Sequence, residues 1–182
     1  MKKLIVMAAV ALSLNAEAQT DKGDWMVGGN IGFRTNKNNS NFSFSPNAGY
    51  FFARNFVAGA NLQTDFEKTG DIKSSTVGLG PFARYYFGEG AFKPFAVTEF
   101  NYLLLSTKYN GNKTNTNGYG WLLGIGGAAF ISNDVALEAV AGYNYSQFAS
   151  ASSNTGFSLN FGFQVYINKG KMASLKKGKI TD

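Results

Sequence analysis

The chain has 182 residues, no Cys, no His and only 15% charged residues, enough for one domain and short for two. Without Cys or His, the usual zinc ligand sets, thiol nucleophiles, disulfide frameworks and imidazole bases are excluded. The net charge of +6 is unevenly spread. Residues 19–167 hold 10 basic against 9 acidic side chains and residues 168–182 hold five Lys and one Asp, so the body offers no basic surface for nucleic acid.

In chain order, Lys2 and Lys3 precede an apolar run from Leu4 to Leu14, and Ala16-Glu17-Ala18 supplies the small residues of a signal-peptidase site. Residues 1–18 are therefore expected to be a signal peptide, leaving Gln19 first. The apolar run falls well short of the ~20 residues a spanning helix needs.

Eight segments of period-two alternation follow, separated by Gly, Asn, Ser and Asp clusters. They run over Trp25–Phe33, Phe42–Phe52, Phe56–Gln63, Thr76–Phe87, Pro94–Leu103, Tyr119–Phe130, Val135–Tyr145 and Phe157–Tyr166. Each is near the ~9–11 residues of a tilted membrane strand. The connections alternate as well. Those after the second, fourth and sixth segments are short, while Thr35–Asn41, Asp65–Ser75, Ser106–Gly118 and Ser146–Gly156 read as longer polar loops. Short turns at one end and long loops at the other are the asymmetry of an outer-membrane barrel.

One alternating set, running from Trp25, Val27 and Ile31 through Leu79, Leu123 and Ile125 to Phe161 and Phe163, carries no charge, and only Thr98 is plainly polar. A soluble barrel could also have one apolar face, turned inward. The opposite set decides between them. It holds Gly, Ser, Asn and Gln with three charges, Arg84, Glu99 and Glu138, where a face in bulk water would carry Lys and Glu at roughly a quarter or more of its positions. That composition suits an enclosed, hydrogen-bonded lumen, which leaves the apolar face against hydrocarbon. Open strand edges in lipid would leave unpaired backbone groups, so the sheet is expected to close.

Aromatics flank both kinds of connection: Tyr50, Phe56, Tyr85, Phe87, Phe92 and Phe130 at the short turns, and Phe33, Phe42, Tyr102, Tyr119, Tyr143 and Phe157 at the long loops. Two headgroup-level belts are expected there. Inner-face glycines, Gly78, Gly80, Gly124 and Gly162 among them, fit a narrow, sharply bent barrel. Gly118-Tyr119-Gly120 and Gly124-Ile125-Gly126 open no helix and make no phosphate loop. Pro46 and Pro81, inside strands paired on both sides, lead to an expectation of local bulges.

With the export signal, the eight segments and the run Gly80-Pro81-Phe82-Ala83-Arg84-Tyr85-Tyr86-Phe87 before a Gly-rich turn, the chain resembles the small outer-membrane β-barrel proteins of Gram-negative bacteria, of the OmpX, OmpA-membrane-domain and opacity types. Gln19 directly after Ala16-Glu17-Ala18 also looks like a Bacteroidota style of export signal. The resemblance spans residues 19–167. It implies an eight-stranded antiparallel transmembrane barrel with both termini in the periplasm, placed in the outer membrane by the barrel-assembly machinery. Phe157, Leu159, Phe161, Phe163, Val165 and Tyr166 look like the family's assembly signal, although residues 168–182 follow as a Lys-rich periplasmic tail. The resemblance is to the barrel and not to the peptidoglycan-binding domain of OmpA, so no cell-wall anchoring role is expected from it, and barrel enzymes of the outer membrane rely on His, which this sequence lacks.

The leading expectation is a monomeric, non-enzymatic outer-membrane barrel with a structural, surface-interaction or narrow porin-like role, outer-membrane lipid as its surroundings, no cofactor and no nucleic-acid partner. A surface partner is not named by the residues. Two alternatives stay open: a soluble lipid-binding barrel, and a barrel enzyme working with carboxylates alone. Asp65, Glu67 and Asp71 either collect a divalent cation or form a solvated acidic loop. Lys169, Lys171, Lys176, Lys177 and Lys179 either meet anionic headgroups or end the chain as a solvated tail. Finally, an enclosed charge needs compensation. Arg84 and Glu138 each lie a few residues from a short turn and are expected to meet across the lumen near the periplasmic side. Glu99, ~16 Å higher at ~3.3 Å per residue, is the weaker partner.

Overall fold

The structure, a computed structural model, describes residues 20–35, 39–149 and 153–176. The expected signal peptide, residues 1–18, lies outside the described residues, as do Lys177 and Lys179.

Eight strands follow in order: β1 (Trp25–Thr35), β2 (Asn39–Ala53), β3 (Phe56–Thr69), β4 (Ile72–Tyr86), β5 (Phe92–Tyr109), β6 (Asn112–Phe130), β7 (Val135–Phe148) and β8 (Asn154–Ile167). Each pairs antiparallel with the next, and β1 pairs with β8 from Trp25↔Ile167 to Ile31↔Phe161, so the sheet closes into a barrel. Closure removes both edges, which is what lets a sheet exist where no water can satisfy its backbone. A short helix, α1 (Lys169–Lys176), follows β8.

Alternation along each strand separates two faces. The apolar set points outward: Ile125 is 70% exposed, Leu79 63% and Phe157 83%. The other set fills the interior, and its large members Met26, Phe51, Tyr86, Phe95, Phe130 and Tyr166 form the buried core at the short-turn end. The barrel is thus a packed interior with an apolar exterior.

Three expectations are corrected. Asp65–Ser75 and Ser106–Gly118 are not loops. β3 and β4 run on to a two-residue turn at Gly70-Asp71, and β5 and β6 to one at Asn110-Gly111. Asn110 and Gly111 both have positive φ (47° and 82°), the conformation a tight Asn-Gly hairpin requires. Above the apolar band both faces are polar, so alternation vanishes from the sequence while backbone pairing continues.

Pro46 and Pro81 make no bulge. Pairing of β2 with β3 lapses at Ser45-Pro46 and of β4 with β5 at Gly80-Pro81, but the register resumes unchanged in both cases. Each strand residue directs its N–H to one neighbour only, so a proline removes a rung on one side and keeps its partner on the other, Gly29 for Pro46 and Ala60 for Pro81. The register shift falls instead between Phe51 and Ala53, beside a short turn.

Phe130 does not belong to a belt. It points inward at 1% exposure with its ring 4.8 Å from that of Tyr166. The outward aromatics at the short-turn end pair edge to face: Trp25 with Tyr50 at 5.3 Å and Tyr85 with Phe87 at 5.1 Å. At the other end Tyr143 meets Phe157 at 5.4 Å.

Beside the lapse at Pro81, β4 and β5 approach so closely that a Cβ on Gly80 would lie 1.7 Å from the Phe100 carbonyl oxygen. Main chain cannot yield there. Gly80→Ala is expected to cost ~1–3 kcal/mol, the range for overpacking, measured as a lowered urea midpoint in detergent. Gly156→Ala, where an added Cβ meets nothing within 4 Å, is expected to leave that midpoint in place.

Candidate functional site: a sealed lumen

The short-turn end of the interior is closed by two layers of contacts. In the first, Arg84 of β4 and Glu138 of β7 reach each other across the lumen, with Arg84 Nη1 2.9 Å from Glu138 Oε1 and 2.7 Å from Oε2. The two side chains are 2% and 0% exposed. Tyrosines complete the carboxylate's surroundings. The Tyr166 hydroxyl donates to Glu138 Oε1 at 3.1 Å, Arg84 Nη1 donates to the Tyr86 hydroxyl at 3.1 Å, and the two hydroxyls lie 2.8 Å apart. The guanidinium carbon sits 4.3 Å from the centre of the Phe95 ring, a cation–π contact. A buried ion pair is tolerable only when its desolvation is offset in this way, by good geometry and further hydrogen bonds.

The second layer is made by the chain ends. Residues Thr20–Asp24 lie across the short-turn end: Gly23 N–H donates to Phe51 O (2.9 Å), Phe51 N–H to Asp24 O (3.0 Å) and Asn55 N–H to Thr20 O (2.8 Å). Lys93 Nζ donates to Thr20 Oγ1 (2.6 Å) and Asn55 Oδ1 (3.2 Å). Asp24 Oδ1 accepts from Lys169 N–H at 3.1 Å, Asn168 Oδ1 caps α1 through Lys171 N–H at 2.8 Å, and Lys171 pairs with Asp134. The first turn of the basic tail is therefore tied to the barrel, while Lys169 itself stays exposed.

Glu99 lies higher, bonded to Asn61 Nδ2 at 2.6 Å and apart from the Arg84 cluster. Around that level the buried oxygens of Asn30, Asn47, Asn61 and Asn101, and both amide atoms of Gln164, have no hydrogen-bond partner among the described residues. Asp65 and Glu67 stand on β3, accepting from Gln63 Nε2 (2.7 Å) and Thr69 Oγ1 (3.3 Å), and Asp71 sits in the turn. Among the described residues no three acidic side chains gather as a metal site.

Reading the chain for charge alone misses Tyr86, Tyr166, Met26 and Lys93. The first three share the inward parity with Arg84 and Glu138, which is the signal that could have found them. Lys93 precedes the expected start of its strand by one residue.

An apolar exterior around a polar, plugged interior is the build of a membrane barrel, and the sequence agrees: the model of the family described as "Outer membrane protein beta-barrel domain" matches residues 4–164. The chain belongs to that family. It is an outer-membrane β-barrel protein, and its apolar face meets lipid. No curated protein matches its sequence. Solved structures similar to this outer-membrane barrel include Neisserial surface protein A, at 18% identity and a TM-score of 0.60, covering 79% of this chain and 93% of that one. Ail, the attachment invasion locus protein of Yersinia pestis, is 11% identical with a TM-score of 0.53, covering 80% and 99%. The N-terminal barrel domain of Pseudomonas aeruginosa OprF is 11% identical with a TM-score of 0.51, covering 80% and 98%. At these identities the likeness is one of fold. For an outer-membrane barrel the short turns face the periplasm and the long hairpins face outward.

Proposed function

We propose that this outer-membrane barrel is a non-enzymatic surface-interaction protein whose lumen is kept shut. The carrying observation is the length of β5 and β6, 18 and 19 residues, where ~9–11 suffice to cross. The outward apolar positions of β5 end at Leu104, after which Ser106 and Lys108 follow. The surplus forms a stiff two-stranded projection beyond the outer leaflet, joined by the tight Asn110-Gly111 turn. Such a projection presents surface without consuming the lumen. The sealed periplasmic end supports the same reading, since Arg84, Glu138, Tyr86 and Tyr166 occupy the path a solute would take. Ail, named for attachment and invasion, is a barrel of the same fold.

Refolded protein in a planar bilayer is expected to show no discrete conductance steps, and a sustained open-channel current would overturn the shut lumen. Deleting residues 106–109 and 112–115, which keeps the Asn110-Gly111 turn between Leu105 and Thr116, is expected to preserve folding and to abolish adherence of expressing cells; undiminished adherence would remove the surface role. A narrow conduit is the second reading, favoured by the unpartnered amide atoms above the Arg84–Glu138 pair. It requires the Arg84–Glu138 pair to open.

A further inference from the structure

A row of inward positions crosses four strands midway up the lumen. Strand register sets Asn47 of β2 opposite Asn61 of β3, and Asn61 opposite Gly80 of β4. Gly80 in turn lies beside Asn101 of β5, whose Cα would be 2.8 Å from a Cβ on that glycine. With no side chain at Gly80, nothing stands between Asn61 and Asn101. Glu99 lies on the same face of β5, one inward position nearer the periplasm, and accepts from Asn61 Nδ2 at 2.6 Å. Phe82 floors the group. Its ring reaches from β4 past β3 to β2, where a Cβ on Gly49 would meet its Cζ at 2.8 Å.

This group is rich in acceptors and poor in donors. Asn47, Asn61 and Asn101 are each at least nine-tenths buried, and the Oδ1 of each has no hydrogen-bond partner among the described residues. Buried oxygens left so are uncommon, because each costs free energy until something donates to it or coordinates it. Glu99 receives one N–H, and no ion pair among the described residues includes it. Arg84, one inward position below Phe82, is already paired with Glu138. An enclosed carboxylate so placed needs a positive charge. It also has room for one: Glu99 is only partly buried while Asn61 and Asn101 beside it are buried, so open space in the lumen borders its side chain.

The way in carries the same sign. Above Asn61 the inward positions of β3 are Gln63, Asp65 and Glu67, with Asp65 accepting from Gln63 Nε2 at 2.7 Å. Among the strands, Arg34 at the outer end of β1 is the one basic residue of inward parity above Arg84.

We propose that Glu99, with the amide oxygens of Asn47, Asn61 and Asn101, binds a monovalent metal cation, Na+ or K+, that enters from the outer mouth past Glu67 and Asp65. Carboxylate and amide oxygens are hard ligands and suit a hard cation. A single carboxylate balances a single charge, whereas a divalent ion would leave excess charge enclosed in the barrel. The inference goes beyond the surface role. It needs neither the projecting hairpin nor the shut lower end, so the failure of either would leave it standing.

The test uses the full mature chain refolded in uncharged detergent, in NaCl, KCl or tetramethylammonium chloride at one ionic strength. Tetramethylammonium carries the same charge but holds oxygen ligands off with its methyl groups. Na+ or K+ is expected to raise the wild-type thermal midpoint above its value in tetramethylammonium, by ~3–6 °C at about ten times the dissociation constant. Glu99→Gln keeps the shape and removes the charge, and is expected to abolish that rise. Its midpoint in tetramethylammonium is expected to equal or exceed that of wild type, which separates lost binding from lost fold. Asn101→Ala keeps the carboxylate and is expected to need several-fold more cation for the same rise. Sodium NMR line broadening by wild type and not by Glu99→Gln reads the binding directly. Wild-type midpoints alike in all three salts would overturn the proposal, as would a Glu99→Gln response equal to that of wild type. A rise given by CaCl2 and by neither alkali cation would also overturn it, since the site would then be a divalent one.

Discussion

Replacing Glu138 with Ala is expected to destabilise the barrel by ~3–5 kcal/mol, the range for removing one partner of a buried ion pair. The cause is what remains. Arg84, 2% exposed and with its Nε already unpartnered, would keep a full charge among Phe95, Met26 and two tyrosines. The Tyr166 hydroxyl would also lose the carboxylate it donates to. Guanidinium unfolding in micelles, followed by fluorescence of the outward Trp25 and Trp121, reads the change. Glu138→Gln keeps an acceptor in place and is expected to fall between wild type and Ala. The Arg84→Met/Glu138→Leu double variant removes both charges at similar volume and is expected to recover most of the loss, because apolar replacements of buried pairs are often neutral or stabilising. Single-channel recording of the Ala variant separates two roles. Conductance steps that wild type lacks would mean that the pair gates the lumen, and lost stability without current would mean that it only staples β4 to β7. An unchanged unfolding midpoint would contradict both.

The second large effect belongs to the outer face. Ile125, 70% exposed, sits midway along the apolar stretch of β6, beside Ala96 on one neighbour and Ala141 on the other. On a soluble barrel, Ile125→Arg would exchange a solvent-exposed apolar side chain for a charged one at little cost. In hydrocarbon the same change is expected to destabilise by ~2–4 kcal/mol, as for Arg at the bilayer midplane. Ser106→Arg, the outward position of β5 that follows Leu104, is expected to cost ~0–1 kcal/mol, as for positions near the interface. The depth dependence is the informative quantity. Both variants are to be refolded into vesicles and titrated with guanidinium; equal midpoints would place the two positions in one environment and contradict the membrane level assigned to each.

What could be read in the residues was the two-sidedness of the strands, because a bilayer imposes it position by position. An uncharged set from Trp25 to Phe163 and a polar set with Arg84, Glu99 and Glu138 leave only one inside-out arrangement, and closure follows from the absence of water to satisfy an edge. The opposition of Arg84 and Glu138 was legible for the same reason, since both carry the inward parity and both lie near a short turn. Above the membrane that constraint ends. Thr107, Thr114 and Thr116 pair through their backbones whatever their polarity, so Ser106–Gly118 looked like a loop although Asn110-Gly111 was a hairpin signal in its own right. Pairing register was equally out of reach, because period two fixes a face but not which residue stands opposite. Only the tertiary structure set Lys68, Lys73, Lys108 and Lys113 on one row, turned Tyr86 and Tyr166 onto the Arg84–Glu138 pair, and joined Lys93 to Thr20 at the barrel end. Apart from the Arg84–Tyr86 bond, between residues two apart, the tyrosine contacts join residues 28 to 80 positions apart and Lys93 meets Thr20 across 73; alternation tells which side chains point inward, and hydrogen-bonded closure of the barrel decides which of them meet.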